Sequence, residues 1–394
     1  MRWVLHPVAI IFLLSTSQLS AAPADERVCG LDRAGYLLLD SAGETLDACH
    51  ADTPLVPAST IKILTAWLAI KHWGADFRFS TDFYLDEDQL LWVHGLGDPM
   101  LVSEELALIA QGLKAVSLSA VSGVGIDTSY YANDIDIPGR ARTDNPYDAP
   151  AAALAVNFNT VNLRRKHGKL QSAEAQTPLT QTARKLGRWV DGKAQRINLR
   201  NAQDSGTYFA EILRRKLMDA GITVDARIRR GSVPETAKLI YRHENSRQLP
   251  DVLKAMLQYS TNFIANQLFL NLGAEAYGAP ATMEKAIRHA QREIAETFGW
   301  QDFRIVEGSG LSRDNRLTAR QLTELLQAFQ PWKELLPKRG GVYAKTGTLN
   351  GIRTLAGYLG PGDGGRPFAI LINRPAPRNL RYDLVKQWKI QRPK

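Results

Sequence analysis

The sequence predicts an α+β protein in which an antiparallel sheet is flanked by helices. Residues 355–372 alternate as two strands around a Gly-rich turn, which is the pattern of a hairpin. Residues 283–298 and 322–329 carry apolar side chains at helical spacing. The chain has 394 residues, which is too many for one small core and fits two domains.

The N-terminus has the pattern of a signal peptide. Arg2 supplies a positive charge, and residues 8–14 are apolar but too few to span a bilayer. Ala22-Pro23-Ala24 fits a small-x-small cleavage site, with residues 20–22 as a second choice. We therefore predict a signal peptide over residues 1–24 and export to the periplasm. An uncleaved anchor is the alternative.

The two cysteines of the chain flank the next predicted element, a hairpin. Cys29 and Cys49 are 20 positions apart, on either side of the apolar run 36–39 and the turn 41–44. Export would place them in an oxidising compartment, so we expect a disulfide. Two unpaired thiols are the alternative, because spacing alone does not show geometry.

Helices, loops and a strand are predicted through the middle of the chain. A helix with one apolar face follows Pro57, and another begins behind Ser103 as its N-cap. Residues 133–162 are rich in Asp, Asn, Pro and Ala, which predicts loops and short strands. Residues 206–220 form a predicted helix, and alternation over 222–228 predicts a strand.

Two helices are predicted near the C-terminus. The first is the amphipathic run at 322–329, for which Thr318 is a plausible N-cap. The second is the tail at 380–388, which mixes apolar and basic residues. We expect the tail to cover the sheet, because a sheet with one bare apolar face needs cover. A segment that lies on a membrane surface is the alternative.

The charge balance favours anionic partners. The formal net charge is +9 and the pI is about 9.5, which suits the cell wall, nucleic acid or anionic lipid. No zinc-finger, helix-turn-helix or RNA-binding signature occurs, and predicted export argues against nucleic acid. The seven histidines form no metal-ligand pair at helical spacing, and no Gly-rich phosphate loop occurs. We therefore expect no metal and no cofactor.

The first motif with chemical meaning is Ser59-Thr60-Ile61-Lys62. Positions i and i+3 share one helix face, so Lys62 can reach the Ser59 hydroxyl. A serine is a poor nucleophile without a base, and burial beside the second cation Lys345 would leave Lys62 able to accept a proton. A chain of this composition has roughly one Ser-x-x-Lys by chance, so the motif needs partners.

The second motif, Ser260-Thr261-Asn262, would assist the leaving group and the substrate. We expect Ser260 to carry a proton to the leaving amine and Asn262 to hold the substrate amide. Ser260 or Thr261 before the apolar run at 263–264 is also a normal helix start, and both interpretations can hold together.

The third motif is Lys345-Thr346-Gly347, which we place on a sheet edge. Lys345 and Thr346 would bind a terminal carboxylate, and Gly347 would let substrate lie against the backbone. The N–H groups of Ser59 and Thr348 would form an oxyanion hole. An exposed turn is the alternative for this motif, but three motifs in this order are a strong signal.

With these motifs the chain resembles the class C low-molecular-mass penicillin-binding proteins, the type-4 D-alanyl-D-alanine carboxypeptidases. Other stretches are similar to that family, and residues about 163–195 match it poorly. The similar stretches are Val56–Ser59, Gly95–Pro99, Tyr147–Pro150 with Asn157 and Asn159, Glu307–Arg313 and Lys345–Asn350. The family commonly has Asp in the middle of the second motif, where this chain has Thr261.

The resemblance implies a fold, a domain plan and an activity. The fold is that of the serine β-lactamases and penicillin-binding transpeptidases, with a D,D-peptidase domain of residues 25–80 and 240–394 and an inserted accessory domain at 81–239. The insertion is shorter than in many members. The activity is hydrolysis of D-Ala-D-Ala through an acyl-enzyme on Ser59. The sequence does not decide between this carboxypeptidase activity and endopeptidase cleavage of D-Ala-meso-diaminopimelate cross-links, because both use the same acyl transfer. Expected partners are peptidoglycan stem peptides and β-lactam antibiotics, with at most peripheral membrane contact. The sequence does not predict the oligomeric state.

Two other functions compete with this one. A β-lactamase needs a base for rapid deacylation, but the Glu-x-x-Leu-Asn motif is absent, and the nearest string at 267–271 begins with Gln. The Tyr-x-Asn of class C β-lactamases is also absent, since position 260 is Ser. A non-catalytic wall-binding or sensor protein with the same fold is the second alternative, and the intact motifs argue against it.

Overall fold

The computed structural model describes residues 22–360 and 365–390. Most of the predicted signal peptide and the tip of the last hairpin lie outside the described residues. The helices are α1 Ala24–Cys29, α2 Lys62–Trp73, α3 Ser103–Ala115, α4 Gln181–Leu186, α5 Ala202–Asp219, α6 Leu249–Tyr259, α7 Asn262–Tyr277, α8 Met283–Phe298, α9 Ala319–Phe329 and α10 Leu380–Ile390.

The strands occur between these helices, singly or in groups, except that α6 to α9 follow one another directly. In chain order they are β1 Ala34–Leu39, β2 Thr45–Cys49, β3 Ser80–Leu85, β4 Leu91–His94, β5 Ala120–Val121, β6 Val124–Asp127, β7 Thr160–Lys166, β8 Lys169–Ser172, β9 Gln195–Asn198, β10 Thr223–Val224, β11 Ile228–Arg230, β12 Lys238–Glu244, β13 Lys338–Arg339, β14 Val342–Leu349, β15 Ile352–Leu359 and β16 Arg366–Ile372.

An antiparallel sheet of order β13-β14-β15-β16-β1-β2 organises the first and last parts of the chain. Both of its faces are covered. In β16, Ala369 and Leu371 pack into the core with α2, α7 and α9, while Phe368 and Ile370 pack with α1 and α10 on the other side. The predicted α+β arrangement of an antiparallel sheet between helices is confirmed.

The tail helix α10 covers the second face of this sheet. Leu384, Val385 and Trp388 are buried among the β16 and β1 side chains. The prediction of a covering helix is therefore confirmed, and the membrane-surface alternative for the tail is not. Beside this helix, the bonded pair Cys29 and Cys49 joins the end of α1 to the end of β2, as expected.

The chain between β3 and β12 builds a second core. Its five-stranded sheet has the order β11-β6-β4-β3-β12. The outer pair β3 and β12 is antiparallel, with Ser80 opposite Glu244, so the chain leaves and returns side by side. This is where an insertion would join its host, and the exact boundaries of the 81–239 domain stay a prediction.

Two local predictions in this region needed correction. The single strand predicted over 222–228 is two strands, because β10 pairs with β5 and β11 pairs with β6. Ser103 is the first residue of α3 and not its cap, since its hydroxyl is hydrogen-bonded to Thr177 in the interior. Thr318, in contrast, caps α9 through a capping box with Gln321, as predicted.

None of the helices in residues 22–360 and 365–390 combines the length and apolar character needed to cross a bilayer.

Candidate active site

Ser59 and Lys62 lie at the junction of a 3-10 turn, Ala58–Ile61, and α2. Side chains at i and i+3 eclipse one another in a 3-10 turn, which aligns this pair more closely than an α-helix would. Lys62 Nζ lies 3.1 Å from Ser59 Oγ. Lys62 is fully buried, whereas Ser59 is partly exposed, so the hydroxyl is open to substrate and the amine is not.

The surroundings of Lys62 favour a neutral amine. Burial first, and the charge of Lys345 second, hold its pKa well below the usual 10.5, while the Glu307 carboxylate acts in the opposite direction. Lys62 Nζ donates to Asn262 Oδ1 at 2.8 Å and to the Ser309 carbonyl at 2.6 Å. A neutral amine has two N–H groups and one lone pair. With both N–H groups used, the lone pair is left for the Ser59 hydroxyl proton.

The second motif forms the turn between α6 and α7. Ser260 ends α6 in the left-handed conformation, at φ 56°, and Asn262 is the first residue of α7. Asn262 accepts from Lys62 and donates through Nδ2 to the Tyr147 carbonyl at 3.2 Å. Thr261 occupies the N-cap position, but its hydroxyl makes no capping bond. Thr261 therefore lies at the helix start, as predicted, but its side chain does not cap the helix.

The third motif lies on β14, as predicted. Lys345 Nζ donates to Ser260 Oγ and to the Thr346 carbonyl, each at 2.9 Å. Burial first, and then the charges of Arg339 and Arg381, lower the pKa of Lys345 to about 8. The motif thus connects β14 to the α6–α7 turn through one buried cation.

The edge of β14 is open beside the motif. The short strand β13 pairs only with Val342 and Tyr343, so residues 345–348 have a sheet partner on the β15 side alone. Such an edge can accept an extended peptide as an added strand.

Gly347 is needed for the chain's own packing. A Cβ at Gly347 would lie 2.1 Å from Thr354 Oγ1 and 2.9 Å from both the Pro57 carbonyl oxygen and the Ser59 nitrogen. The glycine therefore lets β14 lie against the turn that carries Ser59. We predicted room for substrate at this position, and the structure shows that the close neighbour is the nucleophile's own turn.

Sequence reasoning assigned no role to Glu307, which is fully buried. Its carboxylate accepts from Ser309 N at 2.8 Å, Ser309 Oγ at 2.5 Å, Gly310 N at 2.7 Å and Asn315 Nδ2 at 2.7 Å. These bonds fold the loop that presents the Ser309 carbonyl to Lys62. The available signal was an acidic residue directly before Gly-Ser-Gly, since such backbone N–H groups are ready partners for a carboxylate.

Arg381 of α10 was also missed. Its Nη1 donates to the Gly347 carbonyl at 2.7 Å and to the Thr354 carbonyl at 2.8 Å. In a planar trans peptide the C=O and the next N–H point in opposite directions. By holding the Gly347 carbonyl, Arg381 fixes the direction of the Thr348 N–H. No local pattern could indicate this, because Gly347 lies 34 positions away.

The structure thus brings these motif side chains together as two neighbouring hydrogen-bonded groups, Ser59–Lys62–Asn262 and Ser260–Lys345, which meet where Ser260 and Asn262 share one turn. A hydroxyl, a buried amine, a second hydroxyl and a cation at an open strand edge can together perform acyl transfer to a peptide that ends in a carboxylate. The predicted roles of Thr346 and Thr348 toward substrate stay predictions.

Most of the chain matches one known protein family. A profile of the D-Ala-D-Ala carboxypeptidase 3 (S13) family matches residues 16–184, 187–337 and 333–390. The matched ranges include the stretch 163–195, which we expected to match poorly, except for residues 185–186.

Relatives and solved structures agree with this match. The chain is 27% identical to a D-alanyl-D-alanine carboxypeptidase of Actinomadura sp. (strain R39), over 87% of this chain and 78% of the relative. Its fold is similar to that of penicillin binding protein 4 (dacB) from Haemophilus influenzae, with a TM-score of 0.74, 20% identity and coverage of 91% and 96%. The same Haemophilus protein complexed with a β-lactam matches with a TM-score of 0.69, at the same identity and coverage.

Proposed function

The chain belongs to the D-Ala-D-Ala carboxypeptidase 3 (S13) family, and on that premise we propose that this serine D,D-peptidase works through an acyl-enzyme on Ser59. Its substrates are peptidoglycan stem peptides that end in D-Ala-D-Ala. The observation that carries the proposal is the buried Lys62, whose Nζ lies within hydrogen-bond distance of Asn262 Oδ1, the Ser309 carbonyl and Ser59 Oγ.

Substrate binding uses the open edge of β14. The peptide lies along residues 345–348 as an added strand, and its terminal carboxylate meets the Lys345 cation and the Thr346 hydroxyl. The scissile carbonyl then lies over Ser59, with its oxygen toward the N–H groups of Ser59 and Thr348. The Arg381 contact to Gly347 supports this direction for the Thr348 N–H.

Acylation follows as a proton transfer and an addition. Lys62 takes the proton of Ser59 as its oxygen attacks the carbonyl carbon, and the C–N bond breaks as the leaving amine gains a proton. Ser260 supplies that proton, because its oxygen accepts from Lys345 and its own hydrogen is free to donate. The proton held by Lys62 restores Ser260, so the site ends with its original protons. Water then hydrolyses the ester.

A β-lactam would enter the same path, since it offers a carboxylate and a reactive amide. The penicilloyl ester should be long-lived, because the Glu307 carboxylate beside the site is fully engaged by its own loop and is not free to activate water. This argues for a penicillin-binding protein and against a β-lactamase. We also propose a periplasmic location, which fits such substrates and the predicted signal peptide.

Covalent labelling tests the assignment of Ser59. Fluorescent penicillin should label the full-length protein and should not label Ser59→Ala. Thermal melting of the variant checks its fold. Labelling that persists in a folded Ser59→Ala protein would remove Ser59 from its proposed role.

Digestion of purified cell wall would distinguish carboxypeptidase activity from endopeptidase activity. Released D-alanine reports carboxypeptidase activity, and split cross-links report endopeptidase activity. Both use the same acyl transfer, and we propose that the chain performs the first.

A further inference from the structure

The positive charge of the chain is concentrated in one short stretch. Residues 160–200 hold ten Lys and Arg and only two acidic residues, Glu174 and Asp191, so they carry +8 of the formal +9 of the whole chain. This stretch builds the small sheet of order β8-β7-β9 together with α4. The rest of the molecule is close to neutral, so the excess positive charge is localised in this stretch and is not spread over the whole chain.

Part of this charge gathers at one end of the small sheet. Arg165 connects the β7–β8 turn to the segment after α4, since it donates to the carbonyls of Gly168, Arg188 and Val190 at 3.1, 3.4 and 2.9 Å. Its own N–H donates to the Gly192 carbonyl at 3.1 Å. We call residues 166–169 and 188–193 the basic tip.

The cations of the basic tip have no carboxylate partner among the residues that the structure describes. Elsewhere in the stretch Arg196 pairs with Glu174, and Arg200 pairs with Asp144. Lys166, Lys169, Arg188 and Lys193 are exposed, and within the described chain no carboxylate lies within ion-pair distance of them. The only acidic residue of the tip is Asp191, which is also exposed. A net positive field at this end is therefore left for a partner.

Trp189 stands among these cations and is 88% exposed, more than any other large hydrophobic residue described. An indole held in water is unfavourable, but it is well suited to the boundary between lipid headgroups and acyl chains. Basic side chains around it would meet the negative surface potential of an anionic leaflet.

We propose that the basic tip docks the enzyme on an anionic lipid surface, with Trp189 in the interface and the four exposed cations over the headgroups. The sequence allowed a peripheral membrane contact and offered the C-terminal tail for it. The tail is buried as α10, and the basic tip offers a different place. The proposal is independent of the acyl-enzyme chemistry.

Docking through the basic tip would also fix the orientation of the active site relative to the lipid surface. The opposite end of the small sheet, at Thr160 and Asn198, bonds to the loop at 143–147, and Tyr147 of that loop accepts from the active-site Asn262. Strand β7 runs from that end to the tip and is about 20 Å long. A docked enzyme would therefore hold its site away from the lipid, toward the wall.

Vesicle binding tests the proposal with the full-length protein. Sedimentation with phosphatidylcholine vesicles, with and without phosphatidylglycerol, is measured at low and high salt. Wild type should bind only the anionic vesicles and should be released by salt. Trp189→Ser should weaken binding, and a tip variant should weaken it roughly tenfold or more. The tip variant combines Lys166→Gln, Lys169→Gln, Arg188→Gln and Lys193→Gln.

A matched variant removes four exposed charges elsewhere and should bind nearly as wild type. It combines Arg33→Gln, Lys238→Gln, Lys254→Gln and Lys386→Gln. If both charge variants lost vesicle binding equally, net charge alone would explain the binding, and the proposal would be overturned. Equal binding to neutral and anionic vesicles would also overturn the proposal. Tip-dependent binding to lipid-free cell wall, with no binding to vesicles, would overturn it as well. Penicillin labelling of Ser59 should be unchanged in every variant, which reports folding separately.

Discussion

Lys62 and Lys345 are two buried lysines with opposite tasks. Burial first, and the charge of Lys345 second, hold the pKa of Lys62 well below 10.5, so the amine can act as a base. Lys345 is also buried, but its pKa is lowered only to about 8, so it is still a cation at neutral pH. In the proposed mechanism, the need for a neutral Lys62 sets an acidic limit on activity, and the need for a charged Lys345 sets a basic limit.

We expect kcat/KM for a peptide with a free terminal carboxylate to fall as pH rises through about 8, because the Lys345 cation is lost above its lowered pKa. The fall should approach roughly tenfold per pH unit well above that value, as for loss of one proton. The same peptide with an amidated terminus is the control and should lack this basic limb. An identical limb with the amidated peptide would contradict the role of Lys345.

Glu307 should act on Lys62 through the loop it folds. Glu307→Gln leaves some backbone N–H groups without an acceptor and removes a charge that supports the Lys62 ammonium, so the pKa of Lys62 should fall further. We expect penicillin acylation to slow by roughly tenfold or more and its acidic limb to move to lower pH. Stopped-flow acylation across pH measures both.

Glu105→Gln is the matched control for Glu307→Gln. Glu105 is equally buried and accepts from His243 Nε2, Ser246 N and Ser246 Oγ, each at 2.7 Å, within the interior. Its loss should lower the melting temperature without moving the acylation profile. If Glu307→Gln behaves in the same way, Glu307 is a structural residue only.

At the scale of elements, α10 and β14 are coupled. The helix covers one face of the sheet with apolar residues, and from the same helix Arg381 reaches the Gly347 and Thr354 carbonyls. A single helix thereby supports the core and orients a peptide unit of the site. The open edge of β14 remains available because β13 is only two residues long.

Arg381→Met should slow acylation by roughly 10²-fold, the cost of losing one oxyanion-hole donor, because the Thr348 N–H is no longer held. The effect should fall on the acylation step more than on penicillin affinity. Arg353→Met is the control, since Arg353 donates to the Leu349 and Ile352 carbonyls at 2.9 and 2.8 Å on the next turn.

Thermal melting of both arginine variants checks their folds. Arg381→Lys is a milder variant that keeps a cation but has a single donor nitrogen, so it should fall between wild type and Arg381→Met. Equal acylation rates in folded Arg381→Met and Arg353→Met would show that Arg381 does not orient the site.

At the scale of the whole molecule, the two ends of the small sheet β8-β7-β9 face different parts of their surroundings. One end of β7–β9 touches the loop beside Asn262, and the other end is the basic tip. This sheet lies in the chain between the paired strands β3 and β12, so the predicted insertion would leave and return at neighbouring positions. Vesicle binding by the tip and acylation at Ser59 are therefore expected to vary independently.

Sequence alone determined the family and the α+β class and predicted the members of the site, because Ser-x-x-Lys, Ser-x-Asn and Lys-Thr-Gly are short motifs whose chemistry depends on residue type and order. It also predicted Thr318 as a cap and 380–388 as a covering helix, since capping and amphipathicity are local. Only the tertiary structure shows the contacts of Glu307, Ser309 and Arg381 on which their proposed roles rest. These act through backbone groups that are distant in sequence or lie in an unpatterned loop. A backbone carbonyl has no residue letter, so its contact with Lys62 or Arg381 emerges only when the chain is folded.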